Sequence, residues 1–249
     1  MTQSVEARLL PIALIVVAFL GSACRDGGAP SLSPDVSVRP TTATADPGRP
    51  STGGSVSSSA TSPSPVADGP AVSDGRPARA TLTIPSIGVR ALVVEPYEGW
   101  TDDAPGTDLQ DRGLAAAPYG PRGGTGPGGV GNYQVTAHRN SSTAAFYDLP
   151  ALGEGQRVRV DSDGRRYVYR ITATRTTSFR SPRSLAEQRA AVPGRPGAEP
   201  TRAMITLSTC RTQEDHAEGN FWSDEFGNPE HRVDKVGVLV SSAPSPDGT

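Results

Sequence analysis

After residue 79 the chain alternates apolar and polar residues in short bursts, each closed by Gly, Pro, Asp or Ser. A period of two is the mark of a half-buried strand, because successive side chains of a strand point to opposite faces. Residues 80–84 (ATLTI) and 89–95 (VRALVVE) therefore predict two strands around the turn Pro85-Ser86-Ile87-Gly88. Residues 99–132 read as loop, with a glycine-dense stretch at 121–132 (PRGGTGPGGVGN) leading into a strand at 133–138 (YQVTAH) that ends in His138. A short helix is expected within 141–152, where Phe146, Tyr147 and Leu149 cluster. A hairpin follows, with strands at 156–161 and 166–177 around Asp161-Ser162-Asp163-Gly164. Ser184 with Glu187 three residues on resembles a capping box and predicts a helix over 184–191. A strand at 203–210 (AMITLSTC) then stops at Cys210, a polar excursion fills 211–231, and a last strand covers 233–240. Many short strands with few helices give an all-β fold class, a barrel or a sandwich.

The N-terminal pattern is different in kind. Arg8 precedes an uncharged apolar run, LLPIALIVVAFLGSA over residues 9–23, and Arg25 follows it. Three fates fit: a secretory signal cut after Ala23, a lipoprotein signal using Cys24 (with Gly21 where Leu is usual), or an uncleaved membrane anchor, although spanning helices usually need ~20 residues. All three place the rest of the chain outside the cytoplasm. The anchor is carried forward as the expected localisation, cell membrane with an extracytoplasmic domain. Residues 25–78 are rich in Pro, Ser, Thr, Gly and Ala, a composition that cannot offset its ordering entropy by burial, and are expected to be a disordered linker. As a coil its ends would lie on the order of 40 Å apart. It serves either as a tether reaching beyond the membrane or as a plain spacer. The expected division is an anchor segment at 1–24, linker at 25–78, one folded domain at 79–241 and a disordered tail at 242–249.

Composition changes this picture only in what it excludes. Lys and Arg total 24 against 26 Asp and Glu, with no basic stripe, which argues against nucleic acid as a partner. The glycine-dense stretch lacks the Gly-Lys-Ser/Thr ending of a phosphate loop. Neither His-x-x-x-His nor Cys-x-x-Cys occurs, and the acidic residues of the 161–164 turn lack a calcium-loop pattern, so no metal is expected; the acidic cluster of the 211–231 excursion reads as a solvated face, with calcium as its alternative.

Cysteine usage is more informative. The chain has 2 cysteines, Cys24 beside the apolar run and Cys210 at the end of a strand. Separated by the linker, they are poor partners for a disulfide, so Cys210 is a free thiol in an exported domain. Such a thiol acts as a nucleophile once a base or cation favours its thiolate. Of the histidines His138, His216 and His231, only His138 shares the strand-end placement of Cys210. Arg232, at the start of the last strand, offers a fixed fork of donors for a developing oxyanion, although Arg211 lies beside the cysteine in sequence.

Thr206-Leu207-Ser208-Thr209-Cys210 resembles the Thr-Leu-x-Thr-Cys signature of sortases. Thr136-Ala137-His138-Arg139, with Phe146-Tyr147-Asp148-Leu149 and Leu152-Gly153-Glu154-Gly155 behind it, is similar to the stretch around their histidine. His231-Arg232 before an apolar strand resembles the arginine segment, and Ile84-Pro85-Ser86-Ile87-Gly88-Val89 the first strand and turn. The likeness runs over about residues 79–241 and is nearest to class E/F sortases of high-GC Gram-positive bacteria. It implies a closed eight-stranded β-barrel with a few short helices and a cysteine transpeptidase that needs no cofactor. Cys210 would be the nucleophile, His138 the acid/base and Arg232 the oxyanion or substrate ligand. Ser208, Thr209 and Trp222 would touch substrate, the last from a 211–231 loop whose Phe221, Trp222 and Phe226 are expected to pack down as a groove wall. The implied partners are sorting-signal-bearing surface proteins with a Leu-x-x-Thr-Gly-type motif, and a peptidoglycan-precursor or pilin amine as acceptor. An L,D-transpeptidase is disfavoured because Ser208 stands where that family's Ser-His-Gly-Cys run has histidine. The other class of reading is a non-catalytic exported β-domain that binds wall or surface proteins.

Overall fold

A computed structural model describes residues 69–246. Eight strands close into a mixed barrel in the order β1-β2-β3-β4-β7-β8-β6-β5. They are β1 (Ala80–Ile84), β2 (Val89–Glu98), β3 (Ala115–Tyr119), β4 (Gly131–Thr136), β5 (Arg157–Ser162), β6 (Arg165–Ser178), β7 (Ala203–Cys210) and β8 (His231–Pro244). Three short helices, α1 (Ala104–Asp111), α2 (Pro182–Arg189) and α3 (Thr212–Ala217), lie in the connections. Pairing is antiparallel except for β2 with β3 and β4 with β7. The barrel is filled by side chains such as Leu82, Tyr133, Val135, Tyr169, Ile205 and Leu207, all buried.

The strands read from alternation are where they were expected, with β8 running on to Pro244 rather than stopping near Ser241. Their burial explains their legibility. β1 and β5 alternate buried and half-exposed residues, one face inward. β4, β7 and the first half of β8 are buried on both faces, because α2 and the loop before α1 cover the outside of this wall. The two-residue turn Asp163-Gly164 has φ of 49° and 69°, the left-handed pair that matches the twist of a tight hairpin.

Several local expectations are corrected. The 99–132 stretch holds both α1 and β3. Asp103 caps α1, its Oδ1 accepting from Gly106 N at 3.0 Å, and Ala115-Ala116-Ala117-Pro118 forms a strand that composition does not suggest. β4 ends at Thr136, so His138 lies in the loop beyond it rather than at the strand's last residue. Residues 141–152 form turns and a single 3-10 turn, Leu149–Ala151, instead of a helix. The cap of α2 is Ser181, which accepts from Ser184 N, while Ser184 Oγ accepts from Ser178 N. Glu187 pairs with Arg175 and Arg183, so there is no Ser184–Glu187 capping box.

The glycine-dense stretch serves close approach. Residues 73–76 run against it, with Ser73 N donating to Gly128 O and Gly126 N to Gly75 O. A Cβ at Gly126 would sit 1.8 Å from Arg76 O. Residues 73–76, expected as the end of the linker, are therefore paired with the domain. The apolar run at 9–23, Cys24 and the linker up to residue 68 lie outside the described residues, as does the tail from 247. Among the described residues no helix is long and apolar enough to cross a membrane.

Candidate active site

Three neighbouring strands bring the chemistry together. β4 pairs with β7 in parallel up to Thr136 opposite Ser208, and Ala137 N continues the ladder to Ser208 O. On the other side β7 pairs with β8, which sets Cys210 directly opposite Arg232. The order across the wall is thus His138, Cys210, Arg232. Residues 206, 208 and 210 point outward, since Ile205 and Leu207 fill the barrel. The thiol consequently opens on the outer face, beneath loops, rather than into the core.

Burial pushes the Cys210 thiol above its ordinary pKa, and the Arg232 charge works in the opposite direction. Arg232 is fully buried. Its Nη1 donates to Pro229 O at 3.0 Å and its guanidinium lies 4.2 Å from the centre of the Phe179 ring. Asp102 faces it as an ion pair, Oδ1 3.4 Å from Nε. Nε, Nη2 and Asp102 Oδ2 are buried without hydrogen-bond partners. Donors left so are costly, and a site that retains them is shaped for an incoming acceptor. Asp102 itself sits at φ 63°, a left-handed backbone unusual for a side-chain-bearing residue. Arg211 is held otherwise, by Asp215 and Glu218.

His138 is oriented by a carboxylate: its Nε2 lies 2.7 Å from Asp111 Oδ1, at the end of α1. That leaves Nδ1 for proton transfer. The next residue, Arg139, is buried and ties the site together, donating to Cys210 O and Tyr147 O at 3.3 Å each and pairing with Glu214 of α3. It joins the histidine loop, the cysteine backbone and the β7–β8 connection in one clamp.

The remaining expected site residues fall elsewhere. Thr209 points inward and its hydroxyl donates to Ala137 O at 2.8 Å. Ser208 is buried under α2, where Gln188 Nε2 reaches both it, at 3.2 Å, and Asp234 Oδ1, at 2.9 Å. Both side chains are buried and engaged within the protein: inward alternation takes one and the helix covers the other. Trp222 is half-buried with Arg180 over its ring at 5.8 Å. Phe221 and Phe226 do not pack down; they are 70% and 56% exposed. The acidic residues of this loop are engaged by neighbouring groups: Glu214 by Arg139, Asp215 by Arg211 and His231, and Glu230 by Ser178 and Asn220. Among the described residues no cluster of three or more His, Cys, Asp or Glu could hold a metal ion.

A family model described as "Sortase domain" matches residues 82–221. The chain belongs to the sortase family. No curated protein matches it. Among solved structures it resembles the SrtA sortase of Actinomyces oris, at 23% identity and TM-score 0.53, over 74% of this chain and 92% of that one. It also resembles sortase E of Streptomyces avermitilis, at 23% identity and TM-score 0.49, covering 70% and 97%. As a sortase it has the closed eight-stranded barrel. Two residues of the site had no signal in the sequence, Asp102 and Asp111, which sit in a stretch read as loop. Arg139 belongs to the Thr136–Arg139 stretch that carries the resemblance, but no role was expected of it.

Proposed function

We propose that this sortase is an extracytoplasmic cysteine transpeptidase that cleaves a Leu-x-x-Thr-Gly-type motif between Thr and Gly. The observation that carries this reading is the register: Cys210 stands opposite Arg232 on one side, and on the other β7 pairs with β4 up to Ser208, whose carbonyl accepts from Ala137 N, the residue before His138. Cys210 Sγ, once deprotonated by His138, attacks the Thr carbonyl carbon. The free Nε and Nη2 of Arg232 receive the charge that develops on the oxygen. The C–N bond to Gly breaks, and the leaving amine takes the proton from His138. A primary amine then attacks the thioacyl carbon, giving its proton to His138, and the C–S bond breaks to restore the thiol. With no amine, water takes the same place and the product is a carboxylic acid. The acceptor is a peptidoglycan-precursor or pilin amine, the donors are surface proteins bearing the motif, and the N-terminal segment holds the enzyme at the cell membrane.

The test is incubation of the purified chain with Leu-x-x-Thr-Gly-type peptides and candidate amines, with products identified by mass. The expected result is a thioacyl-enzyme on Cys210 and an amide product, both abolished in Cys210→Ala. Absence of any acyl-enzyme across the panel would favour a binding domain instead.

A further inference from the structure

We infer that Gln188, in the last turn of α2, is a positioning residue: it links the barrel wall to the loop that carries Asp102, and so sets Asp102 against Arg232 beside Cys210. Its kinetic consequence rests on the transpeptidase reading above; its effect on the thiol does not.

Asp102 has to be held by its neighbours. Its left-handed backbone, at φ 63°, persists in a side-chain-bearing residue only where the surroundings over-determine it. The carboxylate meets Arg232 through Oδ1 at ion-pair distance, and Oδ2 is buried without a partner. The firm ties fall on Thr101, which is buried. Its hydroxyl donates to Gln188 Oε1 at 2.9 Å and accepts from Arg189 Nε at 3.0 Å, and its carbonyl accepts from Arg189 Nη2 at 3.0 Å. Asp103 Oδ2 accepts from Trp100 N at 3.0 Å and closes the loop around Thr101 and Asp102. Two consecutive residues at the end of α2 therefore grip the residue before Asp102.

Gln188 is fixed from its other side by the strands of the site. Its Nε2 donates to Ser208 Oγ at 3.2 Å and to Asp234 Oδ1 at 2.9 Å. Ser208 stands opposite Asp234 as Cys210 stands opposite Arg232, so both pairs lie on the same outward face of β7 and β8. Asp234 is itself pinned by the Thr177 hydroxyl of β6. β4 docks this end of α2, with Asn132 Nδ2 donating to Gln188 O at 3.0 Å and Gln134 Nε2 to Arg189 O at 3.2 Å. The Gln188 oxygen faces the loop and its amide nitrogen faces the sheet, so one orientation satisfies every partner.

The charges give this link a function. Arg232 favours the Cys210 thiolate and Asp102 disfavours it, so the approach of Asp102 decides how much of the Arg232 charge the sulfur feels. Asp224 and Arg139 also act on the thiol, but they are held by Asn228 and Glu214, away from Gln188. A loop released by Gln188 relaxes from its left-handed turn. The thiol then ionises more readily, while the Arg232 donors lose their aim at a developing oxyanion.

The experiment compares Gln188→Met, Thr101→Val, Thr101→Ser and Asp102→Asn in the full chain, with Thr101→Val also combined with Asp102→Asn. Thr101→Val cuts the link on the loop side and leaves Gln188 on Ser208 and Asp234, so it carries the test if Gln188→Met does not fold. Two rates are read: iodoacetamide labelling of Cys210 at neutral pH and cleavage of sorting peptides. In Thr101→Val labelling should be faster by about twofold or more and kcat lower by about tenfold, with KM unchanged. Thr101→Ser keeps the donor and should restore both rates. In the double variant Thr101→Val should lower kcat no further, because both substitutions act through one carboxylate. A lower Tm with parental labelling and kcat, or losses that multiply in the double variant, overturns the inference and leaves Gln188 a structural residue. A parent that cleaves no sorting peptide overturns the transpeptidase reading, while the labelling rates still decide the role of Gln188.

Discussion

Thr209 offers a decisive substitution, because a substrate-binding role and a structural one predict different numbers. Its hydroxyl donates to Ala137 O at 2.8 Å and is buried, one residue before His138 on the partner segment and one before Cys210 on its own. β4 and β7 pair only up to Thr136 and Ser208, so this bond and Ala137 N to Ser208 O are what carry the register on to His138 and Cys210. Thr209→Val keeps the shape and removes the donor, leaving the Ala137 carbonyl without it. A buried polar group left unsatisfied costs about 1–3 kcal/mol. Taking about 2 kcal/mol, a domain of this size should lose roughly 4–8 °C of Tm. Because the slackened segment is the one that carries His138, kcat should fall while KM for the sorting peptide stays near the parent's. Thr209→Ser retains the donor and should recover most of both losses. Thermal melts with steady-state peptide cleavage provide the check. An unchanged Tm with a raised KM would refute this reasoning and return Thr209 to the substrate contacts.

Other outcomes follow from the electrostatics. Arg232→Met removes the charge that counters the burial of the Cys210 thiol, so its pKa should climb further. Iodoacetamide labelling of Cys210 should then need higher pH, and peptide cleavage should drop about 10²–10³-fold, as for loss of an oxyanion donor. Asp102→Asn acts in the reverse sense on the thiol, since the Asp102 charge helps raise it; labelling at fixed pH should be faster, while cleavage slows as Arg232 loses its ion-pair partner. Asp234, fully buried, has its carboxyl pushed above the ordinary range by burial, against hydrogen bonds from Ser208, Thr177 and Gln188. A raised folded-state pKa means the native state holds that proton more tightly than the unfolded chain. Its contribution is therefore present below about pH 4 and lost as pH rises through the folded value. Asp234→Asn should accordingly gain on the parent as pH increases from 4 to 8 in urea titrations, and a constant difference would refute the assignment.

Local pattern determined a good deal of this protein. Alternation located β5 and β6, where one face is buried and a one-residue slip would turn it to water, and short apolar, β-rich runs bounded by turn residues located β1, β2, β7 and β8. The free thiol, the strand-end logic and the Thr206–Cys210 signature singled out Cys210, with His138 and Arg232 beside it. What local pattern could not reach were elements stabilised by contact rather than composition. β3 is made of alanines and a proline and exists because β2 supplies a parallel ladder. Helix α1 carries Pro105 and Gly106 in its first turn, directly behind a single capping aspartate, Asp103.

Tertiary structure alone decided which polar residues face the chemistry. Ser208 and Thr209 immediately precede Cys210 in sequence yet are turned to α2 and to the β4 end, since side-chain direction depends on what covers each face of a strand. Arg211 is adjacent to Cys210 along the chain but is held by Asp215 and Glu218. Arg232, far away in sequence, is set opposite the thiol by the β7–β8 register. Asp102, Asp111 and Arg139 join the site only through closure of the barrel. Register and burial are properties of paired strands, and no single stretch of sequence carries both members of the pair.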